Sequence, residues 1–137
     1  MLQLENIENA YSFYSYDEHS AKLIKPDTSI HANSSSADNL LEINSTTLIY
    51  KKLIESSDLP SSFDDFDENC INKLLIHDAD IFLIGTGKNS RFPDKSILQH
   101  ISKKMIAIDF MDTGAAARTF NILTGEQRKV AVLLFFK

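Results

Sequence analysis

Ile81-Phe82-Leu83-Ile84-Gly85-Thr86-Gly87 decides how the chain folds. Four consecutive apolar residues suit a strand covered on both faces, since a half-exposed strand alternates apolar with polar. The glycines behind it suit a tight strand exit. Downstream, Arg91-Phe92-Pro93 breaks the chain, and Asp94 can cap a helix carrying Ile97, Leu98 and Ile101. Met105 to Met111 reads as a second strand, ended by Asp112-Thr113-Gly114. Thr113 can cap a third helix whose inner stripe is Ala116, Phe120 and Leu123, with Gly125 placed to end it in the left-handed conformation. Val130 to Phe136 is a long apolar run, read as the last and a central strand. The C-terminal half is thus β-α-β-α-β. Strands apolar on both faces and helices with one apolar stripe close as a layered α/β domain.

Upstream, Phe66, Cys70, Ile71, Leu74 and Leu75 recur at helical spacing, so 66–77 reads as an amphipathic helix with Asp64, Asp65, Asp67 and Glu68 crowding its start. Cys70 falls on its apolar face and reads as a buried, inert thiol. Leu40–Ile43 and Thr46–Ile54 are short apolar runs, and the β-branched residues of the second read as a strand. Tyr11–Tyr16 and Ala21–Lys25 can pair as a hairpin across Asp17–Ser20, and the Ser-rich stretch 33–39 is a loop by composition. The expectation from the residues is one layered α/β domain over 1–137, whose β-rich front half extends the sheet or covers one face of it, with the direction of the last strand left open. Residues 1–39 form a variable hairpin and loop region, and 40–137 form the core.

Length and composition agree with one soluble domain: 137 residues, 43% hydrophobic and 24% charged. The net charge of −5 disfavours general nucleic-acid binding, where Lys and Arg supply most of the affinity. The charge is uneven, however. Residues 1–90 carry 15 acids against 6 lysines, and residues 91–137 carry 8 basic residues against 4 acids. Either this is ordinary scatter or the basic third holds a local anion or partner surface. A single cysteine excludes an internal disulfide and a multi-cysteine zinc site. No apolar run approaches the ~20 residues of a membrane span. Met1 to Tyr16 lacks Lys and Arg, unlike a secretory or mitochondrial leader, so a cytosolic setting is expected.

Motifs for chemistry are weak. Gly85-x-Gly87 lacks the third glycine of a dinucleotide fingerprint, and Pro93 keeps the next helix away from Gly87. Gly87-Lys88 imitates the end of a P-loop without the Ser or Thr after the lysine. His19, His31, His77 and His100 form no metal pair at helical spacing, and Ser96 with His100 has no orienting acid nearby in sequence. Ligands of α/β sheets bind where strands end, which here gathers Gly85-Thr86-Gly87 and Met111-Asp112-Thr113 on one rim. Arg118 and Asn121 share the helix face away from Phe120, and Gly114 leaves room for the Arg118 stem. Arg118 can fork onto a carboxylate: Asp112, the favoured partner, or one from another molecule.

Leu83-Ile84-Gly85-Thr86-Gly87, Ile106-Ala107-Ile108-Asp109, Asp112-Thr113, Ala116-Ala117-Arg118-Thr119-Phe120-Asn121-Ile122-Leu123 and Glu126-x-Arg128-x-Val130-Ala131 resemble the adipogenesis-associated Mth-type domain family. The resemblance covers 81–137 most specifically. It implies a three-layer α/β domain with a mixed sheet and no established reaction, in a group that includes a mitochondrial assembly factor for respiratory complex I. It marks Gly85, Thr86, Gly87, Asp112, Thr113, Arg118, Asn121, Glu126 and Arg128 as site residues. The expected function is a non-enzymatic binding module with a protein partner, assembly-factor-like, without cofactor or metal. The alternative is a small anionic metabolite held at the same edge by Arg118.

Overall fold

The computed structural model describes residues 10–26 and 39–137. The sequence readings at 33–38 and His31 lie outside them. The strands are β1 (Ser12–Tyr16), β2 (Ala21–Ile24), β3 (Leu40–Ile43), β4 (Thr47–Tyr50), β5 (Leu53–Glu55), β6 (Ile81–Thr86), β7 (Ile108–Met111) and β8 (Val130–Phe135). The helices are α1 (Glu68–Leu75), α2 (Lys95–Lys104) and α3 (Thr113–Gly125).

The central sheet has the order β5-β4-β8-β6-β7. β6 runs parallel to both β7 and β8, whereas β4 is antiparallel to β8 and β5 to β4. The sheet is therefore mixed, and β8 lies at its centre. Strand alternation sends successive side chains to opposite faces, and both faces are covered. Phe82 and Ile84 join Leu133, Phe135 and Leu48 on one face, against Ile71 and Leu74 of α1 and Ile97 and Ile101 of α2. Leu83, Val132, Leu134 and Ile49 point the other way, against Ala116, Ala117 and Phe120 of α3. A second sheet, ordered β1-β2-β3, completes that layer with Phe13, Leu23 and Ile43. The α/β class with a mixed central sheet is as expected.

Four boundaries differ from the sequence reading. Residues 46–54 form a hairpin, β4 and β5, because Lys51 turns the chain with φ 54°. The first helix starts at Glu68: Asp67 caps it by accepting from Cys70 N at 3.2 Å, and Phe63–Asp65 form a separate 3-10 turn. Met105 is the left-handed C-cap of α2, 91% exposed, so the second strand begins only at Ile108. Gly125 stays inside α3, and Gln127 takes the left-handed position with φ 64°. Gln127 N donates to Thr124 O at 2.9 Å and Arg128 N to Leu123 O at 2.9 Å, the paired bonds of a Schellman motif. Asp94 does occupy the N-cap of α2, but through its carbonyl, which accepts from Ile97 N and Leu98 N.

Candidate functional site

The two strand exits named by the sequence meet. Thr113 N donates to Gly87 O at 2.9 Å, and Gly87 N donates back to Thr113 Oγ1 at 2.9 Å. The same hydroxyl donates to Phe135 O at 2.6 Å, so Thr113 ties together the ends of β6 and β8 and the start of α3. Gly87 has φ 103°, which favours glycine. Gly85 serves close approach: a Cβ there would stand 2.7 Å from Leu134 Cδ2 and 3.1 Å from Thr113 Cα. Thr86 turns inward and is 2% exposed. Its hydroxyl donates to Asn89 O at 2.6 Å and accepts from Arg91 N at 3.1 Å. Gly85 and Thr86 thus brace the rim from beneath rather than line it.

Asp112, not Thr113, caps α3, with its Oδ1 accepting from Ala115 N at 2.8 Å. A helix start attracts anions through its unpaired N–H groups and its dipole. Here the chain's own carboxylate already holds that place.

Arg118 does not turn to Asp112. Its guanidinium donates to the Tyr16 hydroxyl and lies over the Tyr16 ring, 5.8 Å from the centroid. Gly114 makes room for Tyr16 rather than for the arginine stem, since a Cβ there would stand 2.8 Å from Tyr16 Cε1. The β1–β2 turn is thereby drawn onto the rim. In that turn Asp17 Oδ1 accepts from His19 N at 2.8 Å and Ser20 N at 2.9 Å. These amides hold the Asp17 carboxyl below the ordinary carboxylate range, with smaller help from nearby His19 charge. Glu18 faces Lys88 at 3.9 Å. The result is an open cleft of about 240 Å³ between Tyr16–Glu18, Gly87–Lys88 and Asp112–Gly114, with Arg118 at its wall. Tyr16 to Glu18 escaped the sequence reading, which had only a hairpin there and no signal for its partner 102 residues away.

The remaining site residues are elsewhere. Asn121 is structural: its Oδ1 accepts from Phe13 N at 2.8 Å, and its Nδ2 donates to Phe13 O at 2.9 Å. Glu126 is the C-cap of α3 and Arg128 closes the turn after it. At 1.5 Å per residue these two lie about 19 Å along the helix from its capped start. The rim therefore unites Gly87, Asp112, Thr113 and Arg118 and leaves Asn121, Glu126 and Arg128 outside it.

Acids from the first 90 residues meet part of the basic C-terminal third. Arg91 pairs with Asp64 and lies over the Phe63 ring, and Lys129 pairs with Asp78 at 3.3 Å. The Arg91 guanidinium holds the Asp64 carboxyl below its usual range, and Asp78 raises Lys129. The sequence-level asymmetry is thus partly internal pairing. His100 Nδ1 lies 3.5 Å from Glu68 Oε1, an acid brought from α1. Cys70 is buried, and that burial pushes its thiol upward. Among the described residues there is no group of three or more His, Cys, Asp or Glu that could hold a metal ion.

Two sheets, helices on both faces of the larger one and a braced strand-exit rim define an α/β domain whose fold is like that of a Mth938-like domain. The domain of that name from Bordetella pertussis superposes with a TM-score of 0.62 over 90% of this chain and 84% of its own, at 17% identity, a likeness of fold. The chain belongs to the DUF498/DUF598 family of proteins of unknown function, whose pattern matches residues 28–135. Among its relatives is the 13 kDa major membrane protein of Francisella tularensis, 28% identical over 83 residues that span 61% of this chain and 68% of that protein. Another is the zebrafish NADH dehydrogenase [ubiquinone] 1 alpha subcomplex assembly factor 3, 33% identical over 61 residues. Those residues are 44% of this chain but only 35% of the zebrafish protein. No helix among the described residues is long and apolar enough to cross a membrane.

Proposed function

We propose that the chain is a non-enzymatic protein-interaction module of the assembly-factor kind, holding its partner on the rim around Arg118. The observation that carries this reading is the exposed Arg118–Tyr16 stack beside a shallow cleft with charges of both signs. Arginine and tyrosine dominate binding hot spots because each combines a flat apolar surface with directed donors. Small-molecule sites are concave and mostly apolar, usually ~300–1,000 Å³. This cleft is smaller, and Asp17, Glu18 and Asp112 bring negative charge to it. An anionic metabolite would meet those carboxylates and a helix start already capped by Asp112. The lowered Asp17 carboxyl is also a weak proton acceptor for general-base work. The assembly role in the zebrafish relative's name supports this kind of function and identifies no partner here.

The test is affinity purification of the tagged wild type beside Arg118→Ala and Tyr16→Ala. The expected result is a protein captured by the wild type and depleted at least tenfold by both variants. Their urea midpoints should stay close to wild type, because both side chains are exposed. Capture unchanged by either variant overturns the reading. A cytosolic setting is part of the proposal. Given the Francisella relative's name, cell fractionation tests it directly: the chain is expected in the high-speed supernatant, and recovery in a carbonate-resistant membrane pellet refutes that setting.

A further inference from the structure

Among the described residues β7 is the outermost strand of the central sheet, at the side away from β5. Its inner edge is fixed by two contacts to β6: Phe82 N donates to Ala107 O at 2.9 Å, and Met111 O lies 3.2 Å from Thr86 Oγ1. A strand residue sends its N–H and C=O to one side, and its neighbours send theirs to the other. Ala107, Asp109 and Met111 therefore face β6. Ile108 and Phe110 turn their amides and carbonyls outward, beyond the last strand. Sheet edges are commonly blunted by lysine, proline or a bulge. This one is four residues long and carries one charge, Asp109, but it has no lysine, proline or bulge and pairs in regular register from Phe82–Ile108 to Gly85–Met111. Phe92 is 69% exposed with its ring 6.2 Å from that of Phe110, and it extends the apolar surface beside the edge.

Asp109 argues against a second copy as the occupant. Antiparallel self-pairing through both outward residues sets Ile108 opposite Phe110 of the other copy. The same register sets the exposed Asp109 against its own copy in the non-hydrogen-bonded pair, where Cα atoms stand about 4.5 Å apart. Like charges placed directly opposite destabilise a ladder. We infer that the β7 edge takes an extended segment of another protein as an added antiparallel strand. That segment carries apolar side chains on the Ile108 and Phe110 face and a lysine or arginine across from Asp109. The outward backbone groups attach it, and Asp109 selects for the cation and against self-pairing. This surface adjoins the rim where Met111 meets Asp112, but it does not include Arg118 and does not depend on the function proposed there.

The test is a titration of the isotope-labelled chain with a capped seven-residue peptide of alternating threonine and valine, lysine at its centre. The Ile108 and Phe110 amides are expected to exchange rapidly in the free protein, then to shift and gain protection as peptide is added. The Ile54 amide on the opposite edge strand should not move. A central glutamate in place of the lysine should weaken binding about threefold, because it turns an attractive cross-strand pair into two like charges directly opposite. Asp109→Asn should narrow that difference. In sedimentation, Asp109→Val should self-associate more strongly than the wild type. The inference is overturned if the Ile108 and Phe110 amides are already protected in the free chain. It is also overturned if the peptide leaves them unmoved, or if lysine and glutamate peptides bind alike.

Discussion

Asn121 on α3 grips the backbone of Phe13 on β1 by both its polar groups, with bonds of 2.8 and 2.9 Å across 108 residues of sequence. The amide imitates a neighbouring strand and docks the hairpin on the helix, where Phe13 meets Phe120 edge-on with ring centroids 5.5 Å apart. Asn121→Ala leaves a part-buried N–H and C=O unpaired. The expected loss is about 2–3 kcal/mol, from ~1–3 kcal/mol per stranded buried group. Asn121→Asp should restore little, because a carboxylate cannot donate to Phe13 O. Urea unfolding checks both, and an Asn121→Ala midpoint equal to wild type would show the contact to be incidental.

Thr113 is the joint of the rim. Thr113→Val keeps the shape and deletes the hydroxyl between Gly87 N and Phe135 O, for an expected loss of about 2–4 kcal/mol. Thr113→Ser keeps both bonds and should lose less than half as much. Gly85→Ala pushes a methyl group against Leu134 and the Thr113 backbone, with an expected cost of about 1–3 kcal/mol from overpacking. Thermal unfolding of the three variants should rank them Ser, then Ala, then Val. A serine variant as unstable as the valine one would contradict the role given to the hydroxyl.

Asp17 and Asp64 both ionise below their ordinary value of 3.8, the first through the amides of His19 and Ser20, the second through Arg91. A carboxyl lowered on folding favours the folded state while it is ionised. That contribution is complete above the unfolded value and is lost as pH falls through the lower, folded one. Exposure keeps it small. On this account stability is level between pH 7 and 5 and declines below about pH 4. Carboxyl titration by NMR should give both midpoints under 3.8. Arg91→Gln should raise that of Asp64 and leave that of Asp17, and movement of both together would contradict the assignment.

Cys70 is only 3% exposed, and burial raises its thiol, which keeps it protonated at neutral pH. A thiol reagent should therefore label the folded chain at least a hundredfold more slowly than the chain in 8 M urea. Equal rates would mean that α1 opens readily.

The layered core was legible because its signals are local. Ile81–Ile84 and Val130–Phe136 are apolar without interruption, so both strands needed covering on two faces, and the helices supplied the stripes that cover them. The hidden features are those where local chemistry permits several answers. Lys51 and Gln127 adopt left-handed backbone without the glycine that would announce it, so one strand became a hairpin and a helix ended beyond Gly125. Asp112 and Thr113 are both good caps, and only the fold sends the first to Ala115 and the second to Phe135. The rim was half legible. The meeting of Gly87 with Thr113 follows from adjacent parallel strands, whereas Tyr16 and Phe13 reach α3 by tertiary packing that no local pattern records.

β8 is the partner of both β4 and β6, and it follows both in the chain. While the polypeptide is being synthesised, the β4–β5 hairpin and the β6–β7 pair have no shared ladder until residues 130–135 emerge. Each waits with an apolar margin open to water. A chain cut before Val130 is therefore expected to leave two half-sheets prone to aggregate.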